Sequence, residues 1–218
     1  MAFLFGKIRV DSSQRLKIAE EALEYGIGKR NEPPDSARAA IKKAGGRDKA
    51  FDYSIKEVLN IISKDRDNVN AYLFLVKAFG IKGPEYIDAQ VTNLKRACEL
   101  AANTAKGKTA LLDSIKGVDS LIGPGLKTFD EELSNWYVQL GDLYIQMGEV
   151  EEAIVQYDKA IAQEPANPVP YKRMTNLLIK KGQTSKALDI LKEAKETIYY
   201  QNPKFKAAID ESLAKIPQ

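Results

Sequence analysis

Apolar residues recur along the chain with the spacing of one helix face. Leu16, Ala19, Leu23 and Ile27 form one stripe, and Phe51, Ile55, Val58 and Ile62 form another. Tyr72, Leu75, Val76 and Phe79 follow, then Leu112, Ile115, Val118 and Ile122. Offsets of three and four residues place such groups above one another on a helix, and no run alternates as a strand requires. The breaks suit helices as well. Pro33-Pro34-Asp35 starts one, Gly45-Gly46 ends it, and Gly83-Pro84 separates two more. The spacing predicts a helix over 13–29, a long helix ending near Lys64, and a helix over roughly 104–122 stopped by Gly123-Pro124-Gly125. Thr128 and Glu131 have capping-box spacing, which places a helix start there. The expected class is all-α.

A second period, of 34 residues, lies over the first. From Ser134 to Asn167 the chain carries Leu140, Gly141, Tyr144, Gly148, Ala153, Tyr157, Ala160 and Pro165. Gly141 and Ala153 are small where two helices of a pair approach closely, so a larger side chain would overpack the contact. Gly148 ends a helix where a left-handed residue costs little. Tyr144 and Tyr157 fill the space between helices, and Pro165 ends the second helix of the pair. Thirty-four residues on come Tyr171, Leu178, Gly182, Ala187, Leu191 and Ala194, with Thr175 in the place of the small glycine and Tyr199 in that of the proline. Phe205, Ile209, Leu213 and Ile216 then form one stripe on an otherwise polar helix, as a terminal cap requires.

The eight residues of 134–167 stand at nearly every signature position of the tetratricopeptide repeat, which this segment resembles. The resemblance is strong over 134–200 and looser over 69–102, where Lys64-Asp65-Arg66-Asp67-Asn68 leads into Tyr72, Leu75, Phe79 and Gly83. It implies a solenoid, a right-handed superhelix of antiparallel helix pairs with a carboxyl-terminal capping helix. The organisation expected is a divergent helical region over 1–68, a degenerate repeat over 69–102, a helical insert over 103–127, and two repeats with their cap over 128–218. The family resemblance also implies a concave groove for a peptide or a partner helix. Its lining would be Asn135, Val138, Asp142 and Ile145 in one repeat, Val169, Lys172, Asn176 and Ile179 in the next, and Asn70, Leu73 and Lys77 in the degenerate unit.

Lys172 and Asn176 are one helical turn apart and could share a carboxylate. They resemble the first half of the carboxylate clamp that some co-chaperones use, but only one helix follows, and Asp142 in the preceding repeat would repel the acid. Lys172, Arg173, Lys180, Lys181 and Lys186 form a basic set. A solvated helical face explains it, so no nucleic acid is expected as a partner. Lys180 of this basic set joins the expected partner-binding residues beside Lys172.

Composition narrows the chemistry. The 218 residues include no histidine and one cysteine, which leaves no imidazole base and no histidine-containing metal site. Cys98 reads as a small buried residue on a helix. Glycine-rich phosphate loops are absent from the sequence, and Gly80, Gly83 and Gly107 read as helix stops. Asp130-Glu131-Glu132 and Glu151-Glu152 suit first helical turns. Trp136-Tyr137 at a helix start would pack on the preceding insert. No catalysis, cofactor or metal is expected. The short apolar patch Met1–Lys7 lacks the form of a secretory leader, and no stretch is long and apolar enough for a membrane span, so a cytoplasmic location is expected.

Lysine and arginine total 33 against 30 acidic residues, but the split is uneven. Residues 128–167 carry one base and nine acids, and residues 168–218 carry ten bases and five acids. This favours a protein partner, a peptide or helix with an acidic one among the options, read by a non-catalytic adaptor. The alternative is a homo-oligomeric scaffold in which the acidic repeat of one copy meets the basic flank of another. A regulatory domain working beside an enzyme is a third possibility.

Overall fold

A computed structural model describes residues 2–114 and 124–216, with side chains over 12–104 and 130–216. The patch Met1–Lys7 and the side chains of the 112–122 stripe lie outside the described side chains. Every regular element among the described residues is helical. The chain divides into two compact units, 1–100 and 101–218.

The first unit contains α1 (Ala2–Gly26), α2 (Asp35–Ala44), α3 (Arg47–Lys64), α4 (Val69–Lys82), a 3-10 turn (Pro84–Tyr86) and the start of α5 (Ile87–Ser114). α1 begins well before residue 13, and the expected stripes meet inside it. Leu16, Ala19 and Leu23 pack on Ile55, Val58 and Ile61 of α3 and on Ala71, Phe74, Leu75 and Ala78 of α4. Ala19 and Ala22 are fully buried, and a Cβ added at Gly26 would stand 2.9 Å from the Phe51 backbone nitrogen. The contact between α1 and α3 is therefore close because small residues line it. α4 is apolar around most of its circumference, so spacing alone does not select its core face. Gly45 and Gly46, with φ of 115° and 87°, end α2 as expected.

The helix expected over 104–122 is not separate in its described part. α5 runs from Ile87 through Ser114 without a break, and Cys98 is buried on it. Gly80 and Gly107 accordingly lie within helices, and of the three glycines only Gly83 stops one. A Cβ on Gly80 would meet the Gln90 amide oxygen at 3.1 Å, so its small size admits that neighbour.

The second unit contains α6 (Pro124–Met147), α7 (Val150–Gln163), α8 (Pro168–Lys180), α9 (Thr184–Glu196), a 3-10 turn (Ile198–Gln201) and α10 (Pro203–Ala214). α6 starts at Pro124, not at Thr128, so Thr128, Asp130–Glu132 and Trp136 lie inside the helix. Proline suits a first helical position, where its fixed φ fits and its missing N–H is no loss. α6 with α7, then α8 with α9, form two antiparallel helix pairs joined by short turns, and α10 packs on the second pair. The period is kept in the backbone: Gly148 and Gly182 have φ of +83° and +72°, and each ends the first helix of its pair. The N–H groups of Glu149 and Gln183 each bond the carbonyl five residues back, at 2.9 and 2.8 Å, which closes both helix ends alike.

Asparagines start the helices after each junction. The side-chain oxygens of Asn68, Asn167 and Asn202 accept N–H groups of Ala71, Val169 and Lys204 at 3.1, 3.1 and 2.9 Å. The Asn167 amide also donates to Ser134 Oγ at 3.0 Å and Asn135 Oδ1 at 3.1 Å, while Ser134 donates to the Ala160 carbonyl at 2.8 Å. This polar knot, buried at Ser134 and Asn167, ties the two repeats together.

Candidate binding cleft

The cleft is built on the Gly141–Tyr157 contact. A Cβ at Gly141 would lie 2.5 Å from Tyr157 Cε1, so only glycine lets α7 lay its tyrosine flat against α6. Tyr157 is almost wholly buried, and its hydroxyl emerges beside Asp142, donating to Oδ1 at 2.7 Å. Burial first, and this hydrogen bond second, hold the Tyr157 phenol well above its ordinary range, so it remains a proton donor. Arg173 of α8 takes the other carboxylate oxygen at 3.2 Å. Asp142 therefore has both oxygens occupied from within the chain.

Around this triad, Asp142, Ile145 and Gln146 of α6, Tyr157 of α7, and Arg173, Asn176, Leu177 and Lys180 of α8 enclose a cleft of about 370 Å³. Four residues expected at the groove, Asp142, Ile145, Asn176 and Lys180, line it together. Three others lie elsewhere. Val138 is buried in the cluster with Tyr157, Met174 and Leu178, and half-buried Ile179 packs on that cluster. Lys172 pairs with Glu211 of α10 at 3.1 Å. Of the remaining positions, Asn135 holds Asn167, and Val169 is 42% exposed. Sequence spacing did not single out Gln146, Leu177 or Arg173 as lining residues. Arg173 bore a signal in its charge, but its pairing with an aspartate 31 positions away has none.

The cleft offers an exposed cation at Lys180, an amide at Asn176 and apolar surface at Ile145 and Leu177. With Asp142 neutralised by Arg173, the repulsion expected of it toward an acidic ligand is reduced. In the first unit, Asn70, Leu73 and Lys77 line a second cleft of about 580 Å³ with Ser13, Leu16, Lys17, Glu20 and Phe74. Among the described residues no helix is long and apolar enough to cross a membrane, and no group of three or more acids or cysteines is placed to hold a metal.

Residues 141–174 match the family model of the tetratricopeptide repeat. No curated protein matches the chain. Solved structures similar to it include MamA, 21% identical, covering 84% of this chain and 98% of that one with a TM-score of 0.31. A thermophilic tetratricopeptide-repeat protein of Thermus thermophilus, TTC0263, is 14% identical over 93% of this chain and 99% of its own, with a TM-score of 0.43. Pseudomonas aeruginosa pilF is 12% identical over 91% and 90%, with a TM-score of 0.28. The helix pairs themselves, not these likenesses, carry the fold.

Proposed function

Because the chain carries a tetratricopeptide repeat, a unit that generally mediates protein–protein interaction, we propose that it is a non-catalytic, cytoplasmic adaptor that holds a partner segment in the cleft between α6 and α8. One observation carries this reading: Asp142, Ile145, Asn176 and Lys180 come from two helices a repeat apart and line one cleft. Each is presented from a helix packed on a buried core, which lowers the ordering cost of binding. Lys180 and Asn176 suit a carboxylate or the backbone carbonyls of an extended segment, and Ile145 with Leu177 suits an aliphatic side chain.

An acidic partner segment fits the cleft best, with Asp142 silenced by Arg173 and Tyr157. Self-assembly through opposite charges has less support. Lys172, Arg173, Lys181, Lys206 and Lys215 on the basic flank are held in ion pairs within the chain.

The test pairs Asn176→Ala with Lys180→Glu, both away from the core. A partner captured from native cells by the unaltered protein is purified, and its affinity for both forms is measured by calorimetry. The variant should bind roughly tenfold or more weakly, a loss of about 1.4 kcal/mol or more, with an unchanged melting temperature. Equal affinity would remove this cleft as the binding site.

A further inference from the structure

Tyr199 stands where the repeat pattern has its proline, and there the chain makes the 3-10 turn Ile198–Gln201 instead of passing directly into the next helix. One turn of such a helix takes three residues, so successive side chains point in three directions. Two of those directions are occupied. The Tyr199 ring lies 6.5 Å from that of Phe205. The Tyr200 hydroxyl donates to Asp210 Oδ1 at 2.6 Å and accepts from Lys206 Nζ at 3.0 Å, while Lys195 and Lys206 lie 5.3 and 4.4 Å from its ring centre. Ile198 takes the third direction and is 80% exposed, on a turn anchored by Tyr199 and Tyr200. An aliphatic side chain held in water by a fixed backbone is surface that a partner can bury without first ordering it.

Ile198 and Tyr199 form one wall of a cleft of about 630 Å³, whose other described walls are Glu131 of α6 and Glu164, Ala166 and Asn167 at the repeat junction. That volume is within the range of binding pockets. The described lining carries two carboxylates and no cation, within the segment that has one base against nine acids. The Asn167 amide is already spent on Ser134 and Asn135. What remains for a ligand among the described residues is the Ile198 and Tyr199 rim, the Glu131 carboxylate and the Glu164 carboxylate oxygen not engaged by the Ala166 N–H, a lining that repels phosphate and so disfavours nucleic acid and anionic lipid.

We propose that this cleft docks a basic segment of another protein, with an aliphatic side chain on Ile198 and a neighbouring lysine or arginine facing Glu131 and Glu164. A second copy of this chain is a poorer donor, because half of the ten bases of 168–218 are held in internal ion pairs. The site is distinct from the cleft between α6 and α8 and has the opposite charge preference. The protein would then join an acidic segment to a basic one.

The test uses the full chain and two short synthetic peptides, one of leucine and arginine with glycine spacers, the other with glutamate in place of arginine. Fluorescence anisotropy measures both against the unaltered protein, Ile198→Ser, and Glu131→Gln with Glu164→Gln. Glutamine keeps the oxygen with which Glu164 accepts the Ala166 N–H at 3.1 Å, and melting curves establish that each variant folds. The arginine peptide should bind the unaltered protein more weakly as salt rises, and about tenfold more weakly to either variant. The glutamate peptide should not compete for this site. Equal binding by the variants, or no binding at all, would overturn the proposal. Loss of the arginine peptide in Asn176→Ala with Lys180→Glu, but not in the glutamine pair, would also overturn it without touching the first cleft's claim on acidic segments. Sedimentation of the unaltered protein as an oligomer that the glutamine pair dissolves, without peptide binding, would assign the cleft to a second copy and refute the partner named here.

Discussion

The repeats at 134–167 and 168–201 share a backbone and differ in how they fill it. In the first, Gly141 receives the Tyr157 ring, leaving no room for a Cβ. In the second the equivalent pair is Thr175 and Leu191, and both are fully buried. A larger residue on the first helix is matched by a smaller one on the second. By register the two changes offset one another in volume, as interiors packed to crystal-like density require. The trade has a second consequence. Tyr157 carries a hydroxyl to the cleft and fixes Asp142, whereas Leu191 carries none. The Thr175 hydroxyl, meanwhile, is buried with no hydrogen-bond partner among the described residues. The first repeat is specialised for its cleft, and the second for its cap.

The largest effect should come from breaking the first pair. Gly141→Leu forces a side chain into the Tyr157 ring and should cost roughly 3 kcal/mol or more, read as a lowered melting temperature. Gly141→Thr alone should cost about 2 kcal/mol, and adding Tyr157→Leu, which imports the second repeat's pair, should restore part of it. Strict additivity of the two substitutions would mean that the volumes are not coupled. A smaller effect of opposite sign is expected at Thr175→Val, which keeps the shape and removes an unsatisfied hydroxyl. It should raise stability by about 1 kcal/mol in chemical denaturation, and a loss of stability would show that the hydroxyl has a use.

The smallest effect concerns the cap. The Tyr200 hydroxyl holds the Asp210 carboxyl below its usual range, and Lys215 followed by Lys172 does the same for Glu211. Carboxyls lowered in the folded state stabilise it fully above their ordinary range, near pH 4, and lose that contribution as pH falls through the lowered values. Lys206, raised chiefly by its bond to Tyr200, contributes fully below the ordinary lysine range and loses it as pH rises through the raised value. Protection factors of the α10 amides, taken against intrinsic exchange at each pH, should therefore fall slightly at both extremes while those of α7 hold. These groups are exposed, so the change is confined to the cap, and a flat α10 profile would deny the linkage.

Much of this was legible in the sequence because repeats state their register more than once. Gly148 and Gly182 mark the same turn 34 positions apart, and both adopt positive φ. The stripes at Leu16, Ile55 and Leu75 meet in one core because period alone fixes a helix face. The expectations that shifted were those resting on a single local signal. Thr128 and Glu131 have the spacing of a cap, but Pro124 opens the helix earlier. Gly80 and Gly107 look like stops, yet the helices run through them. Half of the cleft was legible for the same reason. Asp142, Ile145 and Asn176 follow from register, whereas the pairs Arg173–Asp142 and Lys172–Glu211 depend on which distant helix arrives opposite. Those pairs reverse the simplest charge reading, since they neutralise the acid expected to repel and occupy the lysine expected to bind.

The proposed partner site lies between α6 and α8. Amide chemical shifts of the labelled protein, followed while an acidic peptide from the captured partner is added, address it most directly. Shifts should concentrate at 142–146 and 173–180 and be lost in the variant combining Asn176→Ala with Lys180→Glu. Shifts concentrated around Asn70–Lys77 or Ile198–Gln201 instead, with 142–146 and 173–180 unmoved, would contradict it.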